Sequence, residues 1–478
     1  MSIFIEVALH AEDTLYVDPE WNGGTQCGSS SFPWQSLSKS AWDNINKKLM
    51  YNDVMVIFSA YAASKNRENV YDSDHDLKQN GIELMARTAA TKFNLTFDGG
   101  SLYNTCEMGI WKLNRTTKMC KIKHFNSQNS SQKKISHIKI NKFRIEKNDD
   151  GKALTICGDS WVISNCDIYH TKDVKDGPLV LLVPVADKRH GGSDYNAPAC
   201  SCISIVDNQI HSSCGELIYL GGGGCTNADS TGINNCQGFP SHTNITISGN
   251  TLYEGGVYGG EGDAIDCKGG ISNLFIVKNV IHNMHSSQYR AITLKGQNYK
   301  IDTSLTVIEK NYIHHCTGLD DAAIAIVNNW GTPGIIAIQN NIIVFNDRTG
   351  ILVYGGKNIE ITYNTICNNS GYGVAVLGGR VSVKNNLLID NSESIQLYSI
   401  SKNLFCLKNG FSGGQVRCCN QCISNLNGSI FSNADKQNYS IVKTTELQIG
   451  TPSEKFFDDF NGQIRSNKAW TLGALEQQ

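Results

Sequence analysis

Between residues 261 and 295, ionisable side chains recur at spacings that suit moving a proton. Glu261, Asp263, Asp266 and Lys268 follow one another closely, and Arg290 precedes Lys295 by the same interval that separates Asp263 from Lys268. If Ile265 and Cys267 face inward on a strand, Asp266 and Lys268 share the opposite face, because successive side chains alternate. A next strand in the same alignment stacks Lys295 on Lys268 and Arg290 on Asp263. Such a patch suits β-elimination on a uronic-acid polymer. Cations spread the charge that develops when a weakly acidic proton leaves from beside a carboxylate. Clustered carboxylates offer oxygen ligands to Ca²⁺, which would neutralise the substrate's acid group. A lysine flanked by other cations has its neutral form favoured and becomes a base near neutral pH. An arginine across the patch would bind the acid group or assist the leaving oxygen. An exposed Lys–Asp pair two residues apart is also what an ordinary solvated strand carries.

The alignment needs a scaffold that repeats, and the sequence supplies one. The phrase apolar-x-apolar-x-x-Asn-x-apolar recurs with Asn208, Asn250, Asn279, Asn311, Asn341, Asn364 and Asn386 in its Asn slot, at steps of 42, 29, 32, 30, 23 and 22 residues. Degenerate copies place Phe143 and Cys166 there. Each copy reads as a strand, a bend and the start of a second strand, and the spacing is that of a β-solenoid whose coils bury apolar residues on one another. The Asn is expected to supply a left-handed backbone angle and to bond to its copy in the next coil. A second register, holding Tyr219, Asp266, Thr293, Ala325 and Leu352, gives a further column of strands about 4.8 Å apart.

The predicted fold is all-β: a single-stranded right-handed parallel β-helix over residues 16–400, with an N-terminal capping helix and a Cys-rich C-terminal cover over 401–478. Residues 1–15 read as a signal remnant or a disordered start. Leu37, Trp42, Ile45 and Leu49 predict the helix between Ser36 and Leu49. Polar or Gly-rich insertions at about 170–200 and 221–243 predict long loops. After residue 400 the phrase is expected to be lost.

Among 478 residues, 40% are hydrophobic, only 18% are charged and 45 are glycine, which fits a turn-rich β protein. A net charge of −2 gives no support for sequence-independent nucleic-acid binding. No run approaches the roughly 18 apolar residues of a membrane span. Cys406 with Cys418, Cys419 and Cys422 reads as disulfide-forming in preference to a zinc site, and Cys267 and Cys367 as inert core thiols. Sequons at Asn94, Asn114, Asn129, Asn244, Asn368, Asn427 and Asn438 agree with a secreted or extracellular-surface glycoprotein. A monomer is expected, since a solenoid with covered ends needs no partner.

The segment Glu261-x-Asp263-x-x-x-x-Lys268, with Arg290 one coil on, resembles the catalytic segment of the chondroitinase B and alginate lyase family of β-helix polysaccharide lyases. The resemblance implies Ca²⁺ bound by Glu261 and Asp263, Lys268 as base and Arg290 as acid. It also implies an Asn ligand from a preceding coil, for which Asn234 and Asn235 are available. Asp266 joins the expected metal group as a neighbouring carboxylate. Asp263 stands where the family has Glu, and Arg290 lacks the family's following His. Lys295, His285, Tyr354 and Trp330 are expected to contact an acidic polysaccharide, the aromatic pair by stacking on sugar rings. Two alternatives stay open: a uronan epimerase, which shares the proton removal, and a non-catalytic glycan-binding surface or virion solenoid using the same wall.

Overall fold

A computed structural model describes the chain over residues 136–182, 200–221, 242–257, 262–295, 305–327, 334–397 and 403–476, with short breaks, and over isolated strands and one helix before them. Glu261, Asn235, Trp330 and most of the two expected loops lie outside the described residues.

Among the described residues, three sheets of fourteen, eleven and eleven strands are built by parallel pairing between successive coils. The apolar positions of the recurrent phrase face inward and stack in register. Ile205, Ile247, Ile276, Ile308, Ile338, Ile361 and Val383 form one column through the first sheet, and each is wholly buried. Burial of each such side chain contributes about 1.5–3 kcal/mol, so the stack holds successive coils at a fixed rise.

The asparagines form an interior ladder. Asn279 Nδ2 donates to Asn311 Oδ1 at 3.0 Å and to the Ile247 carbonyl at 2.9 Å, while Asn279 Oδ1 accepts from the main chain and the amide of Asn250. The same pattern runs from Asn208 to Asn409. The bond to the next copy is therefore as expected, but the left-handed angle is not on the asparagine. It falls on the residue before, with φ 55° at Asp207, 57° at Lys278, 54° at Lys310 and 58° at Asn385. The ladder position selects Asn for its amide, which satisfies buried main-chain groups, and not for its backbone. A second ladder, Asn346–Asn369–Asn391, runs five residues further along each coil.

The scaffold extends beyond both expected limits of the repeat. Asp13–Val17 already pairs with Val54–Phe58, which leads through Leu95–Asp98 to Ile138–Asn141. A helix at Lys39–Lys48 turns Trp42 and Ile45 into the core beside Leu15, Val17, Val54 and Val56. At the other end Leu404-x-Cys406-x-x-Asn409-x-Phe411 is one more copy of the phrase, and its strands continue the first and second sheets past residue 400. Cys406 sits in register with Val383, buried and outside any disulfide, which removes it from the expected disulfide cluster. Cys267 and Cys367 are buried in the core and outside any disulfide, as expected. The C-terminal segment covers the outer face of the second sheet, where Leu447, Leu472, Ala474 and Leu475 pack on Ile342, Val344, Cys367, Leu387 and Ile389.

Upstream of that cover the same outer face carries a stack of rings. Tyr169, His211, Tyr253, His282 and His314 lie in register with centroids 5.0, 4.5, 5.1 and 5.2 Å apart. Burial, helped by repulsion from His282 and His315, pushes His314 down to about 4. Burial also lowers His282, against the pull of Glu254. Both rings are thus held neutral in the fold and take protons more readily once unfolded. Their contribution is complete above about pH 6.5 and is lost as the pH falls toward His314's lowered value. Allowing for partial exposure, roughly 1–2 kcal/mol is at stake. The melting temperature should therefore drop more between pH 7 and about pH 4.5 in the natural protein than in His314→Phe; equal drops would contradict this.

Candidate functional site

The outer face of the third sheet carries the charged residues. Its strands Ile218–Leu220, Ile265–Lys268, Ile292–Lys295, Ala322–Val327 and Thr349–Val353 pair in succession. The register places Asp266 between Tyr219 and Thr293, and Lys268 beside Lys295, as the sequence alignment required. Asp263 Oδ1 accepts from the Arg290 main-chain N–H at 2.6 Å and from Thr293 Oγ1 at 3.1 Å, so Arg290 does stand one coil beyond Asp263.

The carboxylates are not on an exposed wall. Asp266 is wholly buried although it alternates with the inward Ile265 and Cys267, and Asp263 is 4% exposed. Lys268 Nζ lies 2.6 Å from Asp266 Oδ2 and 4.8 Å from the centre of the Tyr219 ring. Burial alone would lower the Lys268 pKa, but the charge of Asp266, with Tyr219 and Glu216 in support, outweighs it and raises the value. The expectation of a favoured neutral lysine rested on Lys295 as the dominant neighbour. The nearest charge is a carboxylate, and it favours the ammonium. Asp263 is raised by burial and then by the charge of Asp266, against the Arg290 main-chain N–H and the charges of Arg290 and Lys268.

The Arg290 guanidinium turns to the next coil. Its Nε and Nη2 donate to the two oxygens of Asp321, each at 2.6 Å, and Nη2 reaches Asp320 at 3.4 Å. Tyr354 donates its hydroxyl to Asp321 as well, and burial followed by that bond pushes its pKa up to about 12. Asp321 was missed in the sequence. It stands just before its strand but one residue out of the column, since the register that aligns Asp263 with Arg290 carries on to Ala322, so the alignment alone does not reach it. The structure thus gathers Asp263, Asp266, Lys268, Arg290 and Lys295 on one wall and ties Tyr354 to them through Asp321. His285 instead hydrogen-bonds Thr317 at 3.3 Å, in the turn between the second and third sheets.

Among the described residues no group of three or more His, Cys, Asp or Glu side chains is arranged to hold a metal ion. Ca²⁺ takes six to eight oxygen ligands. Of the expected set, only Asp263 and Asp266 are described, and Asp266 already faces the Lys268 ammonium. These two residues by themselves do not fit a calcium ion.

Comparison with known families gives a match over residues 195–404 to the family model for a right-handed β-helix region. The chain is a right-handed parallel β-helix. Among solved structures it is similar to the pectate lyase Pel9A, at 11% identity over 98% of this chain and 96% of that one, with a TM-score of 0.49. An alginate lyase from Paenibacillus sp. str. FPU-7 is 13% identical over 78% and 99% of the two chains, with a TM-score of 0.37. A GH136 lacto-N-biosidase from Eubacterium ramulus is 10% identical over 87% and 68%, with a TM-score of 0.38. At these scores the likenesses carry no argument about activity. No curated protein sequence matches the chain.

Proposed function

We propose that this β-helix acts on an acidic, uronate-containing polysaccharide by β-elimination, with the polymer laid across the outer face of the third sheet. The observation that supports the reading is the stacking of Lys268 and Lys295 in register above the buried Asp263 and Asp266, with Arg290 at the strand's other end. Lys295 and Arg290 would hold the substrate's acid group and favour the charge that forms on it. Lys268 is the proposed proton acceptor, and Asp266, 2.6 Å away, is the group able to hold the ammonium proton that must leave first. Extracellular placement belongs to the same reading, since such polymers lie outside the cell. A calcium requirement is part of the proposal only as something to be tested, and no step above depends on it.

A non-catalytic glycan-binding wall is favoured by one observation. The Asp266 contact keeps Lys268 in its charged form, which suits holding a carboxylate better than removing a proton. Either way the wall must prefer anionic chains. Affinity electrophoresis should show retardation by alginate, pectate or a glycosaminoglycan, weakened by salt, and none by a neutral glucan. Equal retardation by the neutral polymer would count against both readings.

A further inference from the structure

The contacts of Asp321 go beyond what an ion pair needs. Its carboxylate meets the Arg290 guanidinium as a planar fork, two bonds of 2.6 Å side by side, and takes the Tyr354 hydroxyl on one of the same oxygens. The three residues come from three consecutive coils: Arg290 precedes the strand Ile292–Lys295, Asp321 precedes Ala322–Val327, and Tyr354 follows Thr349–Val353. Arg290 is held at both ends, since its main-chain N–H is bonded to Asp263. The arginine and aspartate side chains are only 16% and 18% exposed. Tyr354 rests against an apolar patch of Ala322, Leu352 and Ala375, so its ring too is fixed.

A guanidinium has five N–H donors. Three are used in the contacts to Asp321 and Asp320, and the two on Nη1 take part in none of these. The fork therefore sets the direction of the Nη1 edge. An arginine free to rotate would lose that freedom only when a ligand arrived, at a cost in affinity. One already locked has lost it in folding.

We propose that Asp321 is a positioning residue, locking the Arg290 guanidinium and the Tyr354 ring into one rigid unit whose Nη1 edge seats an acid group of the bound glycan. The proposal rests on the acidic-glycan reading above. It assigns Asp321 no contact with substrate and no part in proton transfer.

The test uses the full chain with pectate, alginate and chondroitin sulfate as probes, and the variants Asp321→Asn, Arg290→Lys and their combination. Asp321→Asn should raise KM, or the dissociation constant where no turnover is seen, by about tenfold, with kcat changed much less. The double variant should bind about as well as Arg290→Lys alone, because the two act through one unit. A readout without substrate is the Arg290 Nε–H signal in a ¹H–¹⁵N spectrum, which should be resolved in the natural protein and lost in Asp321→Asn at unchanged secondary structure. If KM is unaltered in folded Asp321→Asn, or the two variants add, the positioning role is overturned. If the natural protein binds none of the three polymers, the glycan reading falls and takes this role with it. The Nε–H signal would then still report separately whether the lock exists.

Discussion

Lys268→Ala is expected to lower kcat on an acidic polysaccharide by about a thousandfold or more, within the range typical for loss of a positioned base. The variant also removes the ammonium 2.6 Å from a wholly buried Asp266. Stripping one partner from a buried pair commonly costs about 3–5 kcal/mol, so a loss of activity could be confused with a loss of fold. The combination Lys268→Met with Asp266→Asn separates the two. It removes both charges and keeps similar volumes, so it should melt closer to the natural protein than Lys268→Ala while remaining inactive. Recovery of turnover in that double variant would show that Lys268 serves only to neutralise Asp266.

The second large effect is on stability and lies far from the wall. The Arg465 side chain is fully buried. It donates to Glu476 at 2.9 Å, to the main-chain oxygens of Thr471, Gly473 and Ala474, and to Asn340 Oδ1 at 3.0 Å. Its guanidinium lies 4.8 Å from the Tyr363 ring centre and 5.3 Å from that of Trp470. Alanine at this position leaves Glu476 buried without its counter-ion and several carbonyls without donors. Arg465→Ala should therefore cost about 3–5 kcal/mol in chemical denaturation. The C-terminal segment should become protease-sensitive before the coils do, because Leu472, Ala474 and Leu475 are held on the second sheet next to that arginine. A loss below about 1 kcal/mol would mean that the network is only a surface-grade ion pair.

Period and composition reveal what repeats. The inward isoleucine column and the Asn ladder were legible because every coil must solve the same packing problem with the same residue types. The residue before each ladder Asn was not, since Asp207, Lys278, Asn340 and Tyr363 share a backbone angle and no chemistry. The second ladder could have been read from the interval of five between Asn341 and Asn346, Asn364 and Asn369, and Asn386 and Asn391. It is hidden in earlier coils, where Ser213, Gly255, Met284 and Cys316 stand in that place.

The site was legible in position and not in charge state. Alternation along Ile265–Lys268 and the interval to Lys295 fixed which residues share the wall. Whether Lys268 is neutral depends on how far Asp266 is withdrawn from water, and burial on an outer face comes from what covers it, which no local spacing encodes. Asp321 and Arg465 escaped for a related reason. Each matters through partners distant in sequence, Tyr354 for one and Asn340 for the other.

The most direct test of the central claim is the ultraviolet absorbance of newly formed unsaturated uronate, followed with pectate, alginate and glycosaminoglycans, in Ca²⁺ and again in chelator. The account predicts a steady rise on at least one acidic polymer, absent on neutral glucan and abolished in Lys268→Ala, and the chelator arm decides whether calcium belongs to the reaction. A flat trace on every acidic polymer that the protein nonetheless binds would contradict elimination and leave the wall as a binding surface.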